Sequence, residues 1–225
     1  MRTPQRAARR ASFVLTAFAG GLAAVASIAP SVAMAASVNT VFIDSASIGP
    51  LPSTAGLPAL PYLERQLAAR LAESLRAKEI KVVEVTGAAA LQDIKPNDLY
   101  VSLSYATMDQ GLAENGKYRG FAVYVSQQNP QFETSLSCSW QVGNALAGTG
   151  EKPWAMRAGA SYTLIDPTGI RENSGLRVPK IIRGPTLFVE AGMFAGQRER
   201  VRLSSPETLQ KMADAIADGI DRCRN

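Results

Sequence analysis

The 225-residue chain contains no histidine. That absence removes the commonest general base near neutral pH and the commonest nitrogen donor to zinc, so histidine-based triads and imidazole metal sites are excluded. Cysteine is nearly as scarce, with Cys138 and Cys223 alone. There is no Gly-x-Ser-x-Gly elbow and no Ser-x-x-Lys run, which leaves a serine hydrolase without its nucleophile setting. No internal repeat, heptad pattern or low-complexity tract is visible either. The longest apolar run, Phe13 to Ile28, is short and rich in Ala and Gly, which argues against a membrane anchor.

That run belongs to a leader. Arg2, Arg6, Arg9 and Arg10 precede it, and Ala33-Met34-Ala35 follows as a small-x-small cleavage pattern, so residues 1–35 read as a secretory signal peptide. The Arg9-Arg10 pair hints at twin-arginine export, and Sec export remains open. Of 24 Lys+Arg the leader holds four and no acid, leaving 20 against 19 Asp+Glu, so the formal charge falls from +5 to +1. The basic character therefore lies in the leader, and a nucleic-acid partner is not indicated. A periplasmic or secreted location follows, with no membrane span once the leader is gone. In an oxidising compartment an even cysteine count favours a Cys138–Cys223 disulfide over two buried free thiols.

The remaining residues, 36–225, suit one domain with a real core. Val38 to Asp44 reads as a strand ending on a carboxylate. After a Gly/Pro/Ser-rich loop, Pro61 opens a helix with Leu63, Leu67, Leu71 and Leu75 in an i+4 stripe. Glu64 falls in its first turn, where favourable placement on the helix dipole is the plainer reading. Ile80 to Val85, Leu99 to Ser104 and Gly120 to Val125 read as further strands, the second introduced by the Lys95-Pro96-Asn97-Asp98 turn. Pro130 to Ala147 reads as a helix carrying Cys138. Trp154 to Arg177 has no clear period, apart from a hairpin expected around Asp166 to Gly169. Ile181 to Glu190 is expected to hold a short strand, a turn at Arg183-Gly184-Pro185, and a second strand. Ser205-Pro206 begins a last helix with Leu209, Met212, Ala213, Ile216, Ala217 and Ile220 as its apolar stripe. The alternation implies an α/β domain: a three-layer arrangement with a mostly parallel, mixed sheet and helices on both faces.

The central stretch is Thr186-Leu187-Phe188-Val189-Glu190-Ala191-Gly192. Four strand-forming residues run into a carboxylate, and the small pair after it is expected to turn the backbone. In open α/β sheets functional groups gather at the carboxyl ends of strands, which makes Glu190 a candidate. The alternative is that Glu190 pairs with Arg198 or Arg200 or caps the next segment.

These segments, in order, resemble the zinc-dependent N-acetylmuramoyl-L-alanine amidases (the Amidase_3 family). The resemblance lies in Thr40-Val41-Phe42-Ile43-Asp44, Leu63-Glu64-Arg65-Gln66-Leu67, Asp98 to Leu103, Gly120 to Tyr124, Val189-Glu190-Ala191-Gly192 and the closing helix. It implies an amidase or zinc-exopeptidase-like fold over residues 36–225. Family members cut the amide between the glycan lactyl group and the stem peptide of peptidoglycan. They hold one zinc with two histidines and a glutamate, and a second glutamate serves as general base. By the resemblance Glu64 stands at the metal glutamate and Glu190 at the general base. The two histidine positions fall on Ser47 and Ser104.

A serine hydroxyl must ionise before it competes with imidazole for zinc. The family's zinc is accordingly expected to be absent here, with Ser47, Glu64 and Ser104 as relict metal positions and Glu190 as a relict base. Asp44 is a further pocket carboxylate, and Asp44, Glu64 and Glu190 together could offer oxygen ligands to Ca²⁺ or Mg²⁺. The leading expectation is a secreted pseudoenzyme binding peptidoglycan, a stem peptide or a cell-wall protein without hydrolysis. The alternative is an active amidase-type hydrolase with a non-standard metal site.

Overall fold

The computed structural model describes residues 38–45, 60–85, 87–107, 119–154, 163–194 and 197–224. Residues 1–35, expected to be a leader, and Ser47 lie outside the described residues. The compact unit that holds all the described elements spans Met34–Asn225.

Seven strands form one sheet in the order β2-β1-β3-β7-β4-β6-β5. They are β1 (Thr40–Asp44), β2 (Lys81–Glu84), β3 (Asp98–Ala106), β4 (Ala122–Val125), β5 (Thr163–Leu164), β6 (Ile170–Glu172) and β7 (Thr186–Met193). The pairs β1–β2, β1–β3, β3–β7 and β4–β6 are parallel, whereas β4–β7 and β5–β6 are antiparallel. The hairpin expected around Asp166 to Gly169 is the β5–β6 turn.

Among the described residues four α-helices accompany the sheet: α1 (Leu60–Ala77), α2 (Phe132–Gly148), α3 (Gln197–Leu203) and α4 (Pro206–Arg224). The α1 stripe Leu63, Leu67, Leu71 and Leu75 is fully buried against Val41, Ile43, Leu99, Val101 and Leu103, the side chains of one sheet face. Leu146 of α2 and Met212, Ile216 and Ile220 of α4 join the same core. The opposite face carries Phe42, Tyr100 and Phe188, covered by Leu91 and Ile94 and by Val178 and Ile182. Two short 3₁₀ helices, Ala88–Asp93 and Val178–Lys180, supply that third layer. Among the described residues no helix is long and apolar enough to cross a membrane.

Three local expectations change. The short strand expected from Ile181 does not form. Pro179 suits a first helical turn, Ile182 N–H donates to the Val178 carbonyl, and the buried Asn129 amide donates to the Pro179, Ile182 and Gly184 carbonyls, so no backbone is left for a ladder. The small pair Ala191-Gly192 does not turn the chain, because β7 continues to Met193. Gly192 instead makes room: a Cβ there would stand 2.8 Å from the Leu203 side chain, which packs α3 onto the strand. Helix α3 itself was not anticipated.

Cys138 on α2 and Cys223 on α4 form a disulfide, with Cα atoms 5.0 Å apart and 85 residues between them in sequence. The two helices meet closely, since a Cβ on Gly219 would lie 2.5 Å from the Val142 Cα.

Candidate functional site

The parallel strands β1, β3 and β7 bring their carboxyl ends to one edge of the sheet. Asp44 is in register with Ser102, and Ser104 with Glu190. Residues opposed across a ladder share a face, as do residues two apart along a strand, so Asp44, Ser102, Ser104 and Glu190 form a row across three strands. The row lies on the Tyr100/Phe188 face, away from the α-helices. Just past it the register slips: Ala106 pairs with Met193, so β7 carries one extra residue beyond Glu190. Glu190 therefore sits inside β7, beside a bulge, and not at the strand's last residue.

Glu64 reaches this edge from the other side. It lies in the second turn of α1, and its Oε1 accepts the Tyr105 N–H at 3.3 Å, one peptide from Ser104. Only 1% of Glu64 is exposed, and its Oε2 has no hydrogen-bond partner. Burial, countered weakly by the Tyr105 N–H and Arg65, pushes this carboxyl up to about 7. The row and Glu64 thus meet the same strand, β3, at neighbouring residues, Ser104 and Tyr105, while Ser47 lies outside the described residues.

The other carboxyls have tyrosine partners. Tyr124 O–H donates to Glu190 Oε2 at 2.9 Å, and Tyr100 O–H donates to Asp44 Oδ2 at 2.6 Å. Burial raises Glu190 above the usual carboxylate range, against the Tyr124 hydrogen bond and the nearby Arg171 charge. Arg171, fully buried on β6, lies 5.2 Å from the centre of the Trp154 ring and donates to the Trp154 carbonyl. Tyr100 is raised by burial and by Asp44, and Tyr105 by burial and by Glu64. Tyr100, Tyr105, Tyr124, Trp154 and Arg171 were missed from sequence. Period-2 alternation puts Tyr100 on the face of Ser102 and Ser104 and could have found it, whereas Arg171 sits in a stretch with no periodic signal.

The donor set does not suit zinc. Ser104 offers a neutral hydroxyl where the resemblance places an imidazole, no histidine exists to substitute, and both cysteines are bridged between helices. Nor do Asp44, Glu64 and Glu190 form an oxygen cage: among the described residues no three His, Cys, Asp or Glu are grouped so as to hold a metal ion.

Glu64 should also mark stability. Its folded value lies above the unfolded 4.5, so the native state favours the protonated acid. The penalty of ionising it begins as pH rises past 4.5 and is complete above about 7. Glu64→Gln removes that penalty, and the variant is expected to gain about 3 kcal/mol over the parent at pH 8 and little at pH 4. Urea unfolding at the two pH values checks this, and an equal difference at both would contradict it.

The family model described as N-acetylmuramoyl-L-alanine amidase, Amidase_3, matches residues 62–222. Among solved structures, the fold is similar to the N-acetylmuramyl-L-alanine amidase Ami1 from Mycobacterium smegmatis, with TM-score 0.66 and 19% identity over 84% of this chain and 98% of that one. It is similar to the N-acetylmuramoyl-L-alanine amidase AmiC2 of Nostoc punctiforme, with TM-score 0.59 and 21% identity over 81% and 95% of the two chains. It is also similar to the CwlD amidase from Clostridioides difficile, solved in complex with the GerS lipoprotein, with TM-score 0.63 and 14% identity over 82% and 98%. At these identities the structures speak for the fold alone. Comparison with curated proteins gave no match.

Proposed function

This chain belongs to the N-acetylmuramoyl-L-alanine amidase family, and from that premise we propose that it is a secreted, catalytically silent member that binds peptidoglycan, its stem peptide or a cell-wall protein. The carrying observation is Ser104, in register with Glu190 and one peptide from the Glu64 contact, in a chain without histidine. Zinc, when bound in such a site, lowers the pKa of a water and polarises the scissile carbonyl. A buried acid, a serine and a tyrosine-bonded glutamate supply neither effect. Glu190 still accepts a proton-bearing partner from Tyr124, and the row of Asp44, Ser102, Ser104 and Glu190 still offers hydrogen-bonding groups along the sheet edge. That inventory suits recognition of a peptide and lacks an activated nucleophile.

In this reading residues 1–35 direct export, residues 36–225 form the binding domain, and the protein works in the periplasm or outside the cell. The lipoprotein held by the similar CwlD amidase supports a protein partner as the second class of ligand. The test is incubation with purified sacculi. The chain is expected to co-sediment with them and to release no stem peptides. Peptide release at the lactyl amide would overturn the reading.

A further inference from the structure

We propose that a second pocket at the same edge of the sheet, between Arg119, Lys152 and Arg202, is a binding site for a small oxyanion, a carboxylate or a phosphate. It has a volume of about 160 Å³. Because β4 runs antiparallel to β7 and Ala122 is in register with Glu190, the segment entering β4 lies beside the site already described. Arg119 and Gly120 lie on that segment, and Gly150 to Lys152 lie on the loop after α2.

The backbone is built to hold these two segments together. Phe121 N–H donates to the Lys152 carbonyl at 2.9 Å, and Trp154 N–H returns a bond to the Phe121 carbonyl at 2.8 Å. Gly120 has φ +123°, and a Cβ there would fall 2.4 Å from the Lys152 carbonyl oxygen, so only glycine allows this approach. The result sets Arg119 and Lys152 on one pocket wall. Both are exposed, and neither has an ion pair among the described residues.

The acids of the pocket offset these charges only in part, since three cationic side chains line it against two carboxylates. Glu151 and Glu199 line it too, but Arg202 takes all four of their carboxylate oxygens. Its Nε and Nη2 donate to Glu199, and its Nη1 and Nη2 donate to Glu151. Four of the five guanidinium N–H groups are thereby used, and the fifth, on Nη1, is spare. What the pocket presents is two uncommitted cations and a spare N–H, with every carboxylate oxygen already held. With the net positive lining and the Glu151 and Glu199 oxygens bonded to Arg202, an oxyanion finds charge-assisted donors there. The carboxylate could be a peptide terminus, and the phosphate could come from an anionic wall polymer.

The inference concerns binding and stands apart from whether the neighbouring cleft hydrolyses anything. The purified chain is titrated with inorganic phosphate and, separately, with acetate, following backbone amide shifts and heats of binding. Saturable binding is expected, with the Gly120 and Gly150 amides among those that move. The double variant Arg119→Ser/Lys152→Ser should bind at least about tenfold more weakly, as loss of charge-assisted hydrogen bonds implies. Lys81→Ser/Arg183→Ser, which removes the same charge from exposed positions elsewhere, should bind as the parent does. Tighter acetate would mark the carboxylate source, and tighter phosphate the polymer. The proposal is overturned if neither anion saturates, if the Arg119/Lys152 variant binds as well as the parent, or if the control variant loses as much. If that double variant does not fold, the parent's amide shifts decide. A chain that releases stem peptides yet binds neither anion would overturn both readings, each by its own assay.

Discussion

Replacing Ser47 and Ser104 together by histidine is expected to raise zinc affinity by ~100-fold or more, since each imidazole replaces a hydroxyl that binds the metal only when ionised. Ser104 is held by the β3–β7 register opposite Glu190, and Glu64 is fixed by the Tyr105 N–H one peptide away. Glu64 Oε2, which has no hydrogen-bond partner, would gain one in the metal, which offsets the cost of burying the carboxylate. Zinc binding should return more readily than hydrolysis. The partners that orient each imidazole are not provided, and their loss alone typically costs ~10–100-fold. Glu190 would also have to give up the Tyr124 hydrogen bond to receive a proton from water. Competition against a chromophoric chelator measures the affinity. A folded double variant that binds no more zinc than the parent would mean that these positions do not meet.

Removing the disulfide should cost ~3–5 kcal/mol, because the bridge closes a long loop and restricts the unfolded chain. The cross-link spans 85 residues and ties α2 to α4 within the core. Cys138→Ala/Cys223→Ala avoids leaving buried hydroxyls without partners. For a domain of this size the loss corresponds to a fall in Tm of roughly 10 °C. The bridge sits among the helices, on the sheet face opposite Asp44, Ser104 and Glu190. Sacculus binding below the new Tm should therefore survive. An unchanged Tm in the double variant, or loss of binding while it remains folded, would contradict this account.

Much of the site was legible because it depends on period-2 and period-3.6 patterns. The Leu63 to Leu75 stripe fixed α1 and thus where Glu64 emerges, and the apolar strands fixed which edge gathers Asp44, Ser104 and Glu190. What the pattern could not reveal depends on contacts made far along the chain. Ile181 and Ile182 look strand-forming, yet the Asn129 amide, more than 50 residues away, takes the carbonyls around them. Ala191-Gly192 looks like a turn, yet its smallness admits Leu203. The Arg202 clamp draws on Glu151 and Glu199, and only the fold brings the first of these near. The raised pKa of Glu64 was likewise invisible in sequence, since it follows from how deeply the fold buries the carboxyl.

The central claim is that this amidase-family chain has lost its metal, and metal content of the unmodified protein tests it most directly. The chain is purified without tags or chelators, equilibrated with zinc, passed through a desalting column and analysed for total metal by mass spectrometry. The account predicts zinc far below one atom per chain, unchanged in Glu64→Gln. Stoichiometric zinc that survives desalting and disappears in Glu64→Gln would contradict it.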